Sequence, residues 1–431
     1  MKVKQSIVID HFTRVEGHGR LFLELEDGEA KDVQLSIFEG PRLFEAFLKG
    51  RKYDEVPPLV SRICGICSAS HILTGLKAVE NAMDIPVSDQ TRLLRELLDI
   101  GEIVQSNVLH ACFLALPDFL GAPSAIALAD NHKELVKTSL ELKDLGNNIA
   151  RIVGGRAVHP ITTKIGGFSK IPSKNSLEAL ENSFKNLKDR ALNLVEVFGS
   201  LKYPDFERET DYVALKGDKK YEFLDAPLTS SKEGILELSK YKEYMEEYTP
   251  PYSNSKACKR NGKGFMAGAL SRMNLNHDLI DDEVKSLVER TGIKFPNKNP
   301  HLISLAQIIE VAHLIKRGIE ILEELKNTEL KPEKNSFKIK EGEGIAVTEA
   351  PRGALLHHYK FDDKGLVEYA NIITPTCMNN RNIEEDIIAY TPQLQGKTEE
   401  KITFELHKLV RAYDPCISCS THTLQIELKI K

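Results

Sequence analysis

Two stretches decide the reading. One is Arg62-Ile63-Cys64-Gly65-Ile66-Cys67-Ser68-Ala69-Ser70-His71, and the other is Asp414-Pro415-Cys416-Ile417-Ser418-Cys419-Ser420-Thr421-His422. Each C-x-x-C aims two thiolates at one point from a single turn. Four thiolates from distant segments make a soft, preorganised metal site. The chain has seven cysteines, and an odd number with no signal peptide argues against a disulfide framework. Cys112, Cys258 and Cys377 are scattered, without the spacing of a cluster motif, and read as small buried apolar residues. From the pairs alone a structural four-cysteine zinc site stays open. So does a thioredoxin-like redox pair, although neither pair sits in a clear βαβ context. An Arg and a His flank the first pair, and an Asp-Pro and a His flank the second. A closed zinc site has no need of them.

Composition narrows the class. The chain has 431 residues, with Lys plus Arg 58 against Asp plus Glu 63, a formal charge of −5. A nucleic-acid binder usually shows a basic excess, and this chain has none. Hydrophobic residues at 41% and charged residues at 28% describe an ordinary soluble domain rather than a disordered one. At ~150 residues per domain the length fits two or three domains or one large fold. The opening MKVKQSIVIDHF has no apolar core of signal-peptide length. The most apolar stretch, Val108 to Ala129, is broken by His110, Pro117, Asp118 and Pro123. It falls short of the ~18 apolar residues of a membrane span. The expectation is a cytoplasmic protein with no membrane or nucleic-acid partner.

Periodicity sketches the elements. Leu21, Leu23 and Leu25, then Asp27-Gly28, then Val33, Leu35 and Ile37, predict a hairpin over 20–38. Ser88 is the cap for a long buried helix carrying Leu93, Leu94, Leu97, Leu98, Gly101, Val104, Val108 and Cys112. Helices are predicted over 130–153, 176–201, 303–326 and 383–412. A strand pair over 353–374 turns at Asp362-Asp363-Lys364-Gly365. Residues 203–264 read as irregular and partly exposed, with a hairpin around Lys216-Gly217-Asp218. The sum is a mainly α chain with small β-sheets near both ends, an α+β fold, without the strand–helix alternation of a doubly wound sheet.

Further motifs surround the cysteine pairs. Arg14-Val15-Glu16-Gly17-His18 opens the chain. Gly155-Arg156, His159-Pro160 and Gly166-Gly167-Phe168 lie mid-chain. Glu349-Ala350-Pro351-Arg352-Gly353, then Thr374-Pro375-Thr376 and Asn379, follow later. Together with R-I-C-G-I-C-x-x-x-H and D-P-C-x-x-C-x-x-H, they resemble the signatures of the large subunit of nickel–iron hydrogenases. The resemblance runs from about residue 8 to 422. Length and the Leu116-Pro117-Asp118 wording look most like the cytoplasmic, sulfhydrogenase-like, NAD(P)-coupled branch. The complex I relative of the same fold lacks the four cysteines.

The resemblance implies a large-subunit fold built on a central bundle of long helices, with residues 1–422 as one domain. It implies a nickel–iron centre whose iron carries carbon monoxide and cyanide. Cys64 and Cys416 would be terminal on nickel, and Cys67 and Cys419 would bridge to iron, all as thiolates. The implied reaction is reversible heterolytic cleavage of dihydrogen to protons and electrons. Cys416 is then the candidate first proton acceptor and Glu16 the next carrier. Arg352 would polarise the gas or anchor Asp118 and Asp414. Thr376, beside Pro375, would hydrogen-bond a cyanide, and His71 would donate to a bridging sulfur. Glu45, the carbonyl of Ile372 and His422 would hold magnesium or iron. Glu39 and Arg42 are nearby competitors for that region.

The resemblance also implies partners. The remaining cysteines make no iron–sulfur cluster, so an iron–sulfur small subunit is expected, with diaphorase/flavin and electron-transfer subunits. With no phosphate loop and no G-x-G-x-x-G opening a helix, NAD(P) is expected on another chain. A maturation endopeptidase is expected to remove residues 423–431, although Leu424, Ile426, Leu428 and Ile430 also alternate like a terminal strand. The alternatives are a deazaflavin- or viologen-linked large subunit of the same fold, or a non-catalytic zinc-binding scaffold.

Overall fold

The structure is a computed structural model in which residues 4–333 and 336–421 are described. The N-terminal hairpin forms as its alternation requires. Strands β1 (Lys4–Ile9), β2 (Gly19–Glu26) and β3 (Glu29–Ile37) make an antiparallel sheet in that order. Leu21, Leu23, Val33, Leu35 and Ile37 are buried. Asp27 and Gly28 turn the hairpin with φ of 54° and 81°, the positive values that a tight turn demands. Strand β1 adds a third member that the hairpin pattern alone does not predict.

The helices follow in chain order. Those that build the bundle and position the cysteine motifs begin with α1 (Phe44–Leu48), α2 (Ser68–Met83), α3 (Asp89–Val108), α4 (Lys133–Gly154), α5 (Lys174–Gly199) and α6 (Ala269–Asn276). Then come α7 (Ile303–Lys326), α8 (Pro375–Tyr390), α9 (Glu399–Ala412) and the short α10 (Ile417–Ser420). Helices α3, α4, α5 and α7 pack on one another as the central bundle. Ser88 caps α3, its hydroxyl accepting from the Thr91 N–H at 3.1 Å. A Cβ on Gly146 would lie 2.4 Å from the Gly101 carbonyl oxygen. The α3 and α4 backbones therefore touch, at a distance only glycine permits. Strands β4 (Gly342–Ala350), β5 (Gly353–Phe361) and β6 (Val367–Ile373) form a second antiparallel sheet, and α2 lies across it.

Three expectations need correction. The long helix does not run α-helically to Cys112. Leu109–Ala115 is a π-helical segment. It precedes Pro117, which has no N–H to give the Phe113 carbonyl, and wide turns of this kind recur at functional sites. The helix over 383–412 is two helices, α8 and α9, because Pro392 and Gly396 interrupt it. The 203–264 region is less exposed than expected. Val213–Leu215 pairs with Leu228–Ser230, with the connection spanning 216–227 rather than a tight turn. Val213, Leu215, Leu228, Tyr241, Cys258 and Phe265 join a second apolar core against β5 and α8. Among the described residues no helix is long and apolar enough to cross a membrane.

One core residue makes stability depend on acid. His301 is fully buried beside the start of α7, and neither ring nitrogen has a hydrogen-bond partner. Burial, aided by the Lys408 charge, pushes its imidazole down from 6.5 to about 3. The unfolded ring takes a proton below about 6.5. Its contribution is therefore complete above that pH and lost as pH falls toward the folded value. Between pH 6.5 and 4 this amounts to roughly 3 kcal/mol. His301→Leu should make the acid dependence of the denaturation midpoint shallower across that window. Parallel curves for variant and parent would contradict it.

Candidate metal centre

The two cysteine motifs meet. Cys64 follows the single 3-10 turn Ser61–Ile63, and Cys67 stands at the cap position of α2. Cys416 occupies the same position before α10, which contains Cys419. All four side chains are buried, and their sulfurs lie within 4.8 Å of one another. Cys64 and Cys416 Sγ are 3.4 Å apart, Cys67 and Cys419 Sγ 3.1 Å, and Cys416 and Cys419 Sγ 2.9 Å. No other group of three or more His, Cys, Asp or Glu side chains comes together in this way among the described residues. Hydrogen bonds from the Cys416, Cys419 and Cys67 thiols hold Cys64 well below its ordinary value. Burial, then the neighbouring sulfurs, push Cys419 well above its own. One thiolate is thus accommodated and further ones resist, which is the state that a soft cation resolves by displacing protons.

Arg42 joins the two loops. Its Nη2 donates to the Ile63 carbonyl at 2.5 Å and to the Ser418 carbonyl, and its N–H donates to Thr421 O at 2.9 Å. It is therefore a staple between the motifs rather than a competitor for a cation. Glu102, on α3, accepts from the N–H of Ala69 and Ser70 and so caps α2 in place of a local side chain. A residue's value here lies in the backbone groups it reaches, and no spacing rule finds either one.

The other expected residues are distributed as follows. Glu16 pairs its backbone with Cys416 in an isolated parallel bridge. Its carboxylate accepts from the Ser418 N–H at 2.9 Å and from the Ser418 hydroxyl. Arg352 is buried, with Nε donating to the Asp414 carbonyl at 2.7 Å and Nη2 to Asp414 Oδ1 at 2.9 Å. Burial opposes its charge, but Asp414 and the sulfurs of Cys416, Cys64 and Cys67 outweigh burial and hold it well above the usual arginine range. Asp118 does not reach Arg352. Arg14 and Arg411 take its two oxygens instead, because the π-helical turn carries Leu114 and Asp118 to the Arg14 side, where Arg14 also donates to Leu114 O at 2.7 Å. Asp414 has a different second partner, the Gln307 amide at 3.3 Å, and Gln307 in turn meets His110 Nδ1 at 2.5 Å.

Thr376 opens α8 behind Pro375, and its hydroxyl oxygen accepts the Cys416 N–H at 3.0 Å, leaving its own hydrogen free to donate. His71 Nε2 lies 3.9 Å from Cys419 Sγ, and Nδ1 lies 3.2 Å from His357 Nε2. The Tyr359 hydroxyl reaches His357 Nδ1 at 2.6 Å. Burial pushes His71 down to about 4, so the ring is neutral near pH 7. One set of tautomers satisfies the series: Tyr359 donates to His357, His357 to His71, and His71 to the sulfur.

Glu45 is buried and accepts from the Ile372 N–H at 2.8 Å, while its Oε2 has no hydrogen-bond partner. Burial pushes its carboxyl up to about 7 even with the Lys256 ammonium 3.5 Å away. A buried carboxylate oxygen without a donor suits a cation, and Lys256 already brings one positive charge there. His422 lies outside the described residues.

Comparison with known proteins agrees with this geometry. Residues 42–141 and 206–422 match the family model described as nickel-dependent hydrogenase, and residues 6–39 match one described as HoxL-like. The chain belongs to the nickel-dependent hydrogenase family. It is 36% identical to the alpha subunit of sulfhydrogenase 1 from Pyrococcus furiosus over 424 residues, covering 97% of this chain and 98% of that one. It is 28% identical to the beta subunit of the NAD-reducing hydrogenase HoxS from Cupriavidus necator over 482 aligned positions, covering 98% and 96%. Its fold superposes on a crystal structure of an NAD+-reducing [NiFe]-hydrogenase in the H2-reduced state with a TM-score of 0.85 at 27% identity, covering 97% and 99%. In this hydrogenase large subunit the four thiols fit the soft donor set that a nickel–iron group needs.

Cys419→Ser replaces a sulfur packed 3.1 Å from that of Cys67 and 2.9 Å from that of Cys416. The variant should purify with far less than one nickel per chain by plasma emission spectrometry. Full nickel occupancy would remove Cys419 from the ligand set.

Proposed function

We propose that this chain is the catalytic subunit of a cytoplasmic, multi-subunit hydrogenase that cleaves dihydrogen reversibly and passes its electrons to a partner iron–sulfur subunit. The observation carrying this reading is the convergence of Cys64, Cys67, Cys416 and Cys419 beside an Arg352 guanidinium clamped by Asp414. In this reading Cys64 and Cys416 would be ligands of nickel, and Cys67 and Cys419 would be ligands shared with an iron that would carry carbon monoxide and cyanide. When bound, that group supplies the Lewis acidity and electron storage that polarise and split dihydrogen.

The side chains do the rest. The Cys416 sulfur takes the proton, and the Glu16 carboxylate receives it next. Glu16 suits the task because its backbone is paired to Cys416 and its two oxygens accept from the Ser418 hydroxyl and the Ser418 N–H. Arg352 contributes a fixed positive charge in a water-poor site. The free Thr376 hydrogen would serve a cyanide on that iron, and His71 supplies a hydrogen bond that tempers the Cys419 sulfur. Asp118 orders Arg14 and Arg411 around the Glu16 loop. Glu45 and the Ile372 carbonyl, with His422, would hold magnesium or iron. Residues 1–422 act as one large-subunit domain, and residues 423–431 are removed by a maturation endopeptidase once the metals are in.

The electron route rests on relatives. The Pyrococcus furiosus relative is named as the alpha chain of a sulfhydrogenase, and a superposing structure is an NAD+-reducing enzyme. NAD(P) is accordingly the proposed acceptor, bound on a diaphorase-type flavin subunit beyond the iron–sulfur chain. Infrared spectroscopy of the native complex tests the centre. The spectrum should contain bands of metal-bound carbon monoxide and cyanide, and Glu16→Gln should keep those bands while lowering hydrogen uptake by about 100-fold or more. Zinc in place of nickel and no such bands would defeat the proposal.

A further inference from the structure

A second buried arginine spends every donor it has on the segment leading to Arg352 and on the groups around it. Arg272, in α6, has no exposed side-chain surface. Its Nε donates to Glu310 Oε1 at 2.6 Å, and Nη2 donates to Glu310 Oε2 at 2.8 Å and to Pro351 O at 3.0 Å. Its Nη1 donates to Glu349 Oε2 at 2.8 Å and to Ala350 O at 2.9 Å. A guanidinium has five N–H donors, and all five are matched. Three of the acceptors belong to Glu349, Ala350 and Pro351, the three residues before Arg352.

The acceptors are themselves fixed. Glu349 Oε1 takes the Leu215 N–H at 2.8 Å. Glu310 takes the Tyr221 hydroxyl at 2.8 Å and the Asn107 amide at 3.0 Å. Asn107 follows Ser106, whose hydroxyl faces Arg352 Nη1 at 3.4 Å. The turn also rests on the start of α6. Gly353 has φ of 131°, and a Cβ there would lie 2.6 Å from the Gly268 nitrogen. One end of α6 thus supports the turn by backbone contact. One helical turn later, Arg272 grips its carbonyls.

We infer that Arg272 is a positioning residue for Arg352: by holding the Ala350 and Pro351 carbonyls and the Glu349 carboxylate, it fixes the backbone from which the Arg352 guanidinium reaches Asp414, in the field of the Cys416, Cys64 and Cys67 sulfurs. This rests on the reading of the site as a hydrogenase centre. Charge alone does not meet the requirement. A lysine brings the same charge but three donors on a compact head, and it cannot span five acceptors. A shift of the reaching group by about 1 Å is enough to cost about 100-fold in rate.

The test uses the matured native complex carrying Arg272→Lys, Arg352→Lys, or both. Arg272→Lys should lower kcat for hydrogen uptake by about 10- to 100-fold, with nickel and iron per chain unchanged. Added to Arg352→Lys, it should cost less than about threefold more, because the two act on one guanidinium. A full additional loss in the double variant would show that Arg272 acts elsewhere and would overturn the inference. Hydrogen exchange by mass spectrometry supplies a readout independent of turnover. Peptides covering 349–355 should exchange faster in Arg272→Lys, while those covering 64–71 should not change. Unchanged exchange at 349–355, or equal acceleration at both, would overturn the inference. Should Arg272→Lys fail to fold, Glu349→Gln, which keeps the side-chain volume, should give the same pattern of exchange and non-additivity. If no form of the complex took up hydrogen, the proposed function would fail, and the exchange pattern would still decide whether Arg272 holds the turn.

Discussion

Four sulfur atoms packed within 4.8 Å in a buried site cannot all be thiolates unless a cation lies among them. The geometry of the centre follows from that requirement. The first pair sits where a 3-10 turn hands over to α2, and the second where α9 ends and α10 begins, so each motif places one sulfur before a helix and another within or at its first turn. The motifs are 352 residues apart from Cys64 to Cys416. They meet because α2 lies across the C-terminal sheet and Arg42 ties the Ile63 and Ser418 carbonyls together. The sulfur cluster is thus a long-range contact as well as a ligand set.

A layer of residues that touches no sulfur holds this arrangement. Glu102 caps the helix that Cys67 begins, and Thr376 takes the Cys416 N–H. Gln307 reaches Asp414 from α7 and is itself held by His110 of the π-helical turn. Arg272 takes the turn before Arg352. Each contact fixes a backbone or a carboxylate next to a group at the centre. Such preorganisation strengthens electrostatic stabilisation, because nothing has to reorient when charge moves.

Much of this is legible in the sequence, for identifiable reasons. The hairpin over 20–38 and the helix over 303–326 are readable because their side chains repeat at 2 and 3.6 residues against one core. The cysteine pairs are readable because their function is local, two ligands on one turn. What stays hidden is what acts through backbone groups far along the chain. Arg42 and Arg272 resemble any other charged residue until their carbonyl acceptors, as distant as Ser418 from Arg42, are folded against them. The pairing of Asp118 escapes the sequence because a π-helical segment rotates it toward Arg14 and Arg411, and a straight α-helical projection does not anticipate that. A single helix over 383–412 is too long because apolar spacing continues past Pro392 even though hydrogen bonding does not.

The claim beneath all of this is that the four converging cysteines bind nickel together. X-ray absorption at the nickel K-edge of the purified native complex addresses it most directly. The account predicts a first shell dominated by sulfur, with a count approaching four, and an iron scatterer beyond it. A first shell of nitrogen and oxygen, or nickel with no neighbouring iron, would contradict it.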